Sequence, residues 1–200
     1  IFPDLDPVDF KKNHPTKYKL GKTLNFLVLF RGGATAFQST ALQDEGIEVE
    51  LDFCYDAIRK WDEKHHVYRA WQERMIALAA EQGYIELPTG WSRTFGIGHT
   101  NVDAQGGEVC NFLHQCPCAQ VMHSIQQKIQ LEFLRRHLRS RICLEIHDAI
   151  YIDTHPAEDE IRHEIAHEAL THPPLLPVFE NWVGRTIPWQ YERKEYENEI

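Results

Sequence analysis

Three groups of residues in this sequence have the types and spacing to do chemistry. The first is His147-Asp148, set between the apolar runs Leu144-Glu145-Ile146 and Ala149-Ile150-Tyr151-Ile152. β-branched and aromatic residues on both sides predict a strand, a tight turn and a second strand, with the pair at the bend. A carboxylate held there either shapes the turn or serves a cation, a set of N–H donors or a metal ion. The second group is Tyr18, Lys22, Phe26 and Phe30, whose four-residue spacing puts them on one helical face. A lysine can bind a triphosphate as a mobile cation, and a ring one turn on can pack against a sugar or base. Taken alone, the same stripe describes a solvated lysine beside core aromatics. The third group is His163-Glu164-Ile165-Ala166-His167, a literal H-E-x-x-H with His172 nearby. On a helix that pattern presents two histidines to Zn²⁺ with the glutamate as general base.

Each group needs an element to hold it. A helix is predicted over about residues 16–30, with Pro15 suited to its first turn and Gly32-Gly33 ending it. Leu20, Leu24, Leu27 and Val28 supply its apolar side. A second long helix is predicted over 51–82 with a break near His65-His66, ending at Gly83-Tyr84. Residues 85–95 then read as a short hairpin turning at Thr89-Gly90. The polar, glycine-rich stretch 96–107 is the expected boundary between lobes. A third helix is predicted over 109–140, started or kinked at Pro117. It leads into the hairpin at about 143–153. A charged helix follows over 157–170, stopped by Pro173-Pro174, and 175–191 reads as a strand or loop with aromatic anchors.

Two hundred residues with 42% hydrophobic content suffice for one compact unit or two small lobes. Mean hydropathy is −0.46. No run approaches the ~18 apolar residues of a membrane span, so no membrane partner is expected. The opening Ile1-Phe2-Pro3-Asp4 lacks an initiator Met and resembles no signal peptide, so the chain reads as part of a longer product. Five cysteines without framework spacing predict free thiols in a reducing, intracellular compartment. Cys110, His114, Cys116, Cys118 and His123 crowd together but match no zinc spacing, and a helix of small residues is expected there. The net charge of −9 argues against bulk electrostatic binding of nucleic acid. Any polyanion must use local patches: Lys11, Lys12, Lys17, Lys19 and Lys22, or Arg135, Arg136, Arg139 and Arg141.

The stretch from Lys22 to Gly33 resembles motif B of the family A (Pol I-like) DNA polymerases, Arg-x3-Lys-x3-Phe/Tyr-x3-Tyr-Gly. Three further blocks follow in the family's order. Gly83-Tyr84 with Thr89-Gly90 and Arg93 resembles the Gly-Tyr-x-x-Thr-x-x-Gly-Arg-Arg block. Asn111-Phe112-Leu113-His114-Gln115 resembles Asn-x-Pro-x-Gln, and Glu145-Ile146-His147-Asp148 resembles motif C. The blocks span roughly residues 16–190, and the divergent, phage-like members are the more similar.

The resemblance implies an α+β chain: a helical fingers lobe over 1–106, carrying the nucleotide-binding helix at about 16–30, then a palm portion over 107–200 with an antiparallel sheet. It implies template-directed DNA synthesis from dNTP on primer-template DNA, in an intracellular compartment such as the cytoplasm or infected-cell cytoplasm. Lys22 falls on the triphosphate-binding lysine, Phe26 beside the incoming sugar, and Phe30 near the template base. Asn111, Gln115, Arg93 and His147 fall on DNA-facing positions. Asp148 falls on the second of the aspartates that hold two Mg²⁺ ions.

The departures are specific. Tyr18 stands where the family has Arg, with Lys17 and Lys19 flanking it; Phe30 replaces Tyr, Arg31 replaces Gly, Cys116 stands where Gly is common, and Ala149 replaces an acidic residue. Motif A, source of the first metal-binding aspartate, belongs well upstream of Lys22. Asp4-Leu5-Asp6-Pro7-Val8-Asp9 imitates it only loosely. The expectation is therefore a split or processed polymerase, whose second polypeptide supplies motif A, thumb and any exonuclease. The alternatives are a degenerate, non-catalytic polymerase lobe and a zinc metalloprotease acting through His163, Glu164 and His167. Single-subunit RNA polymerases share the looser motifs, but the block from Asn111 to Gln115 favours the DNA enzymes.

Overall fold

The computed structural model describes residues 9–96 and 102–194. The architecture is α+β, as expected. In chain order the elements are α1 (Phe10–Asn13), α2 (Pro15–Leu29), α3 (Ala34–Glu45), α4 (Leu51–Lys64), α5 (His66–Gln82), β1 (Tyr84–Glu86), β2 (Ser92–Thr94), α6 (Val102–Arg135), β3 (Arg141–Ile146), β4 (Ala149–Asp153), α7 (Asp159–Thr171) and α8 (Leu176–Val183), with a 3-10 turn at Pro156–Glu158. None of the described helices is long and apolar enough to cross a membrane. The chain divides into two compact units: Ile1–Glu86 with Ser92–His114, and Leu87–Trp91 with Gln115–Ile200.

In the first unit α2 begins with Pro15 at its first turn, where a missing N–H costs nothing. Leu20, Leu24 and Val28 repeat every fourth residue and are buried, joined by Phe37 and Ala41 of α3 and by Cys54 and Ala57 of α4. The end of α2 is a Schellman closure: the Gly32 N–H donates to the Leu27 carbonyl at 2.8 Å, and the Arg31 N–H donates to Val28 at 3.2 Å. A Cβ at Gly32 would meet Leu27 Cγ at 2.3 Å, so this position tolerates only glycine. Helix α3 was not expected from the sequence. Its alternation of small and polar residues carries little periodic signal, yet Ala34, Phe37 and Ala41 turn inward.

The predicted break in the second long helix falls at His65, between α4 and α5. Gly83 closes α5 with a φ of 77°, and β1 and β2 pair antiparallel, Ile85 opposite Arg93. Gly90 takes a φ of 82° in the turn, as the Thr89-Gly90 reading requires. A Cβ on Gly107 of α6 would lie 2.9 Å from the Phe30 carbonyl oxygen, so glycine permits the backbones of α6 and the α2 terminus to touch.

The second unit packs Val121, Ile125, Ile129 and Phe133 of α6 against Ile165 and Ala169 of α7 and Phe179 of α8. Helix α6 runs through Pro117, which forfeits one ladder bond, and stops at Arg135, short of the predicted 140. Strands β3 and β4 pair Ile142 with Ile152, then shift by one residue at Cys143 so that Leu144 faces Tyr151, Glu145 faces Ile150 and Ile146 faces Ala149. A lone hairpin is marginal in water. This one lays Ile142, Ile150 and Ile152 on the core and leaves Leu144 and Ile146 exposed.

Its base is clipped by Glu158. That carboxylate accepts the Arg139 N–H at 2.9 Å and the Ser140 N–H and hydroxyl, each at 2.8 Å, while Ser140 Oγ accepts the His155 N–H at 3.0 Å. The donated Arg139 N–H, with those from Ser140, holds the Glu158 carboxyl down at about 2. The segment 175–191, read as strand or loop, instead contains α8. Leu175, Ile187 and Trp189 nonetheless pack on this core, and the Trp189 indole N–H donates to the Leu170 carbonyl at 2.8 Å.

Candidate functional site

On α2, Tyr18, Lys22 and Phe26 form one exposed stripe, and Phe30 caps the helix end. The Lys22 ammonium lies 5.9 Å from the Phe26 ring centroid, within cation–π range. Phe26 is 52% exposed, which is unusual for phenylalanine and leaves its face open to a ligand. Tyr18 occupies the family's arginine position with Lys11 over its ring at 5.7 Å. Lys19, flanking it, pairs with Glu45 at 2.7 Å, so another anion would compete with that carboxylate for its ammonium.

The helix is fixed by side chains that the sequence reading did not single out. Asn25 Oδ1 accepts the Trp61 indole N–H at 2.8 Å. At the carboxyl end, fully buried Gln72 donates to the Val28 and Leu29 carbonyls at 3.3 and 3.0 Å, satisfying acceptors that a helix terminus leaves bare. Its own oxygen accepts from Arg69 at 2.8 Å. Arg31, in the place of the family's glycine, keeps the left-handed backbone that glycine favours, with a φ of 64°. The only sequence signal for this network was one glutamine on the inner face of α5.

Asn111 and Gln115 are both exposed and lie one turn apart on α6, the arrangement needed to offer amide donors to one groove. Arg93, also exposed, pairs with Glu108 at 2.7 Å and stacks over Phe95 at 5.3 Å, so any anionic ligand would have to compete with that carboxylate for it. Thr89 donates to Gln120 Oε1 at 2.6 Å.

His147 and Asp148 form the two-residue link between β3 and β4, both exposed. His147 has a φ of 56°, at the position where such turns usually carry glycine or asparagine. No hydrogen bond or ion pair engages the Asp148 carboxylate among the described residues. An unshared carboxylate on a turn suits one ligand position of a hard divalent cation. No three metal-capable side chains converge among the described residues, so any further ligand to such an ion must come from elsewhere. Glu145 faces His123 at 3.9 Å rather than Asp148. Of the loose motif A mimic, only Asp9 lies among the described residues, and it precedes α1 with an exposed side chain.

The H-E-x-x-H residues do lie on a helix, α7, but each has a partner of its own. His163 Nδ1 is 2.9 Å from the Arg193 guanidinium, His167 is hydrogen-bonded to the Tyr191 hydroxyl, and Glu164 approaches Arg136 at 3.5 Å. The cluster around Cys110 is likewise not a metal cage. His114 Nδ1 meets the Cys110 carbonyl at 2.5 Å, and burial pushes the Cys110 thiol up, away from the thiolate a metal wants.

In order along the chain stand a lysine-bearing helix, a small hairpin, a long helix with paired amides and a hairpin with an acidic tip. The chain matches the polymerase domain of Pol1 from M. smegmatis, solved in complex with DNA primer-template and dNTP, with a TM-score of 0.66 and 17% identity, over 81% of this chain and 28% of that one. It is also 25% identical over 168 residues to DNA polymerase I of Treponema pallidum (strain Nichols), covering 82% of this chain. No protein-family model matches. In sequence and in fold the chain is thus similar to a fingers and palm portion of the family A, Pol I-like DNA polymerases. It spans 16% of the length of that curated relative.

Proposed function

We propose that this chain takes part in template-directed DNA synthesis, contributing the nucleotide-binding helix α2, the duplex-sensing amides of α6 and the acidic tip of the β3–β4 hairpin. The observation that carries this reading is the fit between sequence blocks and elements. Lys22 and Phe26 stand on the open face of one helix, Asn111 and Gln115 on another, and Asp148 on a two-residue turn.

Lys22 binds the triphosphate and offsets the charge that builds on the leaving pyrophosphate. Phe26 packs against the incoming sugar and Phe30 lies by the template base. Asn111 and Gln115 donate to the minor-groove acceptors common to all base pairs, and so sense duplex shape without reading sequence. Arg93 and His147 steady the primer-template, with Tyr18 at the outer end of the nucleotide stripe. Asp148 would hold Mg²⁺, which when bound activates the primer hydroxyl and neutralises the phosphates.

The first catalytic carboxylate, thumb and any exonuclease are assigned to a second polypeptide. The free thiols of Cys54, Cys110, Cys116, Cys118 and Cys143 suit a reducing intracellular compartment. The test is primer extension with dNTP and Mg²⁺ by this chain alone and with a co-purifying chain. Synthesis only with the second chain, lost on Lys22→Ala, is the expected result. Extension by this chain unaided refutes the two-chain arrangement, and no extension in either case favours the second reading below.

That second reading, a lobe that binds primer-template without extending it, draws on Ala149 and Tyr18. Neither the second acidic residue of the hairpin nor the helix arginine is present, and Lys19 is already paired. Retained affinity for primed DNA with no incorporation by the assembled protein would establish it.

A further inference from the structure

We propose that His114 is a positioning residue for Phe30: a ring locked at both nitrogens that holds the Phe30 ring edge-on at the end of α2. The inference rests on the reading of Phe30 as the ring beside the template base, and it deepens that reading by naming what orients the ring.

The geometry is specific. The two ring centroids are 6.0 Å apart with planes at 83°, an edge-to-face pair. Phe30 follows the last turn of α2, and its backbone is pressed against Gly107, about two turns before His114 on α6. Its carbonyl side is therefore fixed, and what remains free is the rotation of the ring. His114 restrains that rotation only if its own ring is held, and it is held twice. Nδ1 lies 2.5 Å from the Cys110 carbonyl, which has no proton to give, so Nδ1 carries the hydrogen. Nε2 of the neutral imidazole is then an acceptor, and the Tyr68 hydroxyl stands 2.9 Å from it. Tyr68 has one proton, and the Leu29 carbonyl at 3.3 Å is its other acceptor; Gln72 already donates to Leu29 at 3.0 Å, which frees the Tyr68 proton for His114. Burial pushes the Tyr68 hydroxyl up to about 12, so it keeps this proton throughout the working pH range. Trp71 also packs against the imidazole, the planes nearly perpendicular and the centroids 5.6 Å apart. These contacts together fix the plane of the His114 ring, and of its three ring neighbours, Tyr68, Trp71 and Phe30, it is Phe30 that stands on the nucleotide-binding stripe.

A double-mutant cycle tests this in the assembled polymerase, using steady-state incorporation of a single dNTP on a primed template. Phe30→Ala is expected to raise KM for dNTP. His114→Ala is expected to raise it by roughly fivefold, the size of one edge-to-face aromatic contact, with kcat changed less. In the Phe30→Ala background, His114→Ala should add nothing, because its effect passes through that ring. Tyr68→Phe, which keeps the packing and deletes the hydroxyl, should give a smaller rise of the same kind and serves where His114→Ala does not fold.

If Phe30→Ala raises KM but His114→Ala and Tyr68→Phe do not, the positioning role is wrong while Phe30 keeps its place in the site. If the two effects multiply in the double variant, His114 acts on stability rather than through Phe30, and the proposal also fails. If Phe30→Ala itself leaves KM unchanged, the reading of Phe30 falls and the inference falls with it.

Discussion

Replacing Gln72 by leucine tests whether α5 side chains hold the functional end of α2. The substitution keeps the volume and removes two donations, to the Val28 and Leu29 carbonyls. An unsatisfied buried acceptor costs about 1–3 kcal/mol, so two would cost up to about 6 kcal/mol if nothing else reached them. The structure reduces this figure. The Val28 carbonyl also accepts the Arg31 N–H at 3.2 Å, and Leu29 can draw the Tyr68 hydroxyl from 3.3 Å. Each acceptor can therefore keep one donor, Leu29 by drawing the Tyr68 proton away from His114, and what is lost is that bond and the oxygen that receives Arg69 at 2.8 Å. The expected cost is about 1–2 kcal/mol, or about 2–8 °C in thermal midpoint for a chain of this size. Gln72→Glu at neutral pH should cost more, because it turns an acceptor oxygen toward two carbonyls. The assay is thermal unfolding followed by circular dichroism across pH. A Gln72→Leu protein within 0.5 °C of the parent, or equal midpoints for the two variants at neutral pH, would refute the argument; the 0.5 °C margin is of order 0.2 kcal/mol.

Further outcomes follow from the same geometry. Gly107→Ala should destabilise by about 1–3 kcal/mol by overpacking, although Ala outranks Gly in helix propensity, because its Cβ would sit 2.9 Å from the Phe30 carbonyl; a rise in midpoint would contradict the close approach. The Glu158 carboxyl, held at about 2 against an ordinary 4.5, contributes stability present above the ordinary value and lost as pH falls through the depressed one. Glu158→Gln should therefore flatten the acid limb of an unfolding titration. Asp148→Asn should abolish incorporation by the assembled enzyme while leaving the unfolding midpoint of this chain unchanged, since the carboxylate is exposed; retained incorporation would remove Asp148 from the metal site. His163→Ala should leave the zinc content of purified protein unchanged, and one stoichiometric zinc lost on substitution would restore the metalloprotease reading.

The sequence was most legible where periodicity and punctuation agreed. Pro15, the four-residue repeat of Leu20, Leu24 and Val28, and Gly32-Gly33 defined α2 closely, and the two runs around His147-Asp148 defined the hairpin. Helix α3 was invisible because its inner face is built from Ala34 and Ala41 beside one Phe37, too little apolar contrast to mark a face. Helix α8 hid behind three prolines and the aromatic residues of its neighbourhood, which read as irregular chain. In the candidate site, Lys22 and Asp148 could be singled out because family blocks name them. Gln72, Tyr68 and His114 could not: Gln72 and Tyr68 act on a carbonyl at the end of a helix more than thirty residues away in sequence, and His114 acts through Tyr68 and Phe30, pairings that only the tertiary fold creates.

The extra residue at Cys143 bears on how Asp148 is aimed. On either side of the register shift the strands stay paired, with Ile142 and Ile152 inward below it and Leu144 and Ile146 outward above it. Such a bulge bends its strand and tightens the local twist, and here it also exchanges the faces of β3, so that the even-numbered side chains point inward at Ile142 and outward at Leu144 and Ile146. The direction in which the acidic tip points is therefore encoded at a position that touches no reacting group. A residue gained or lost there would re-aim the carboxylate and at the same time exchange the inward and outward faces of β3 above it, so one position sets both the aim of the tip and the fit of the seam beneath it.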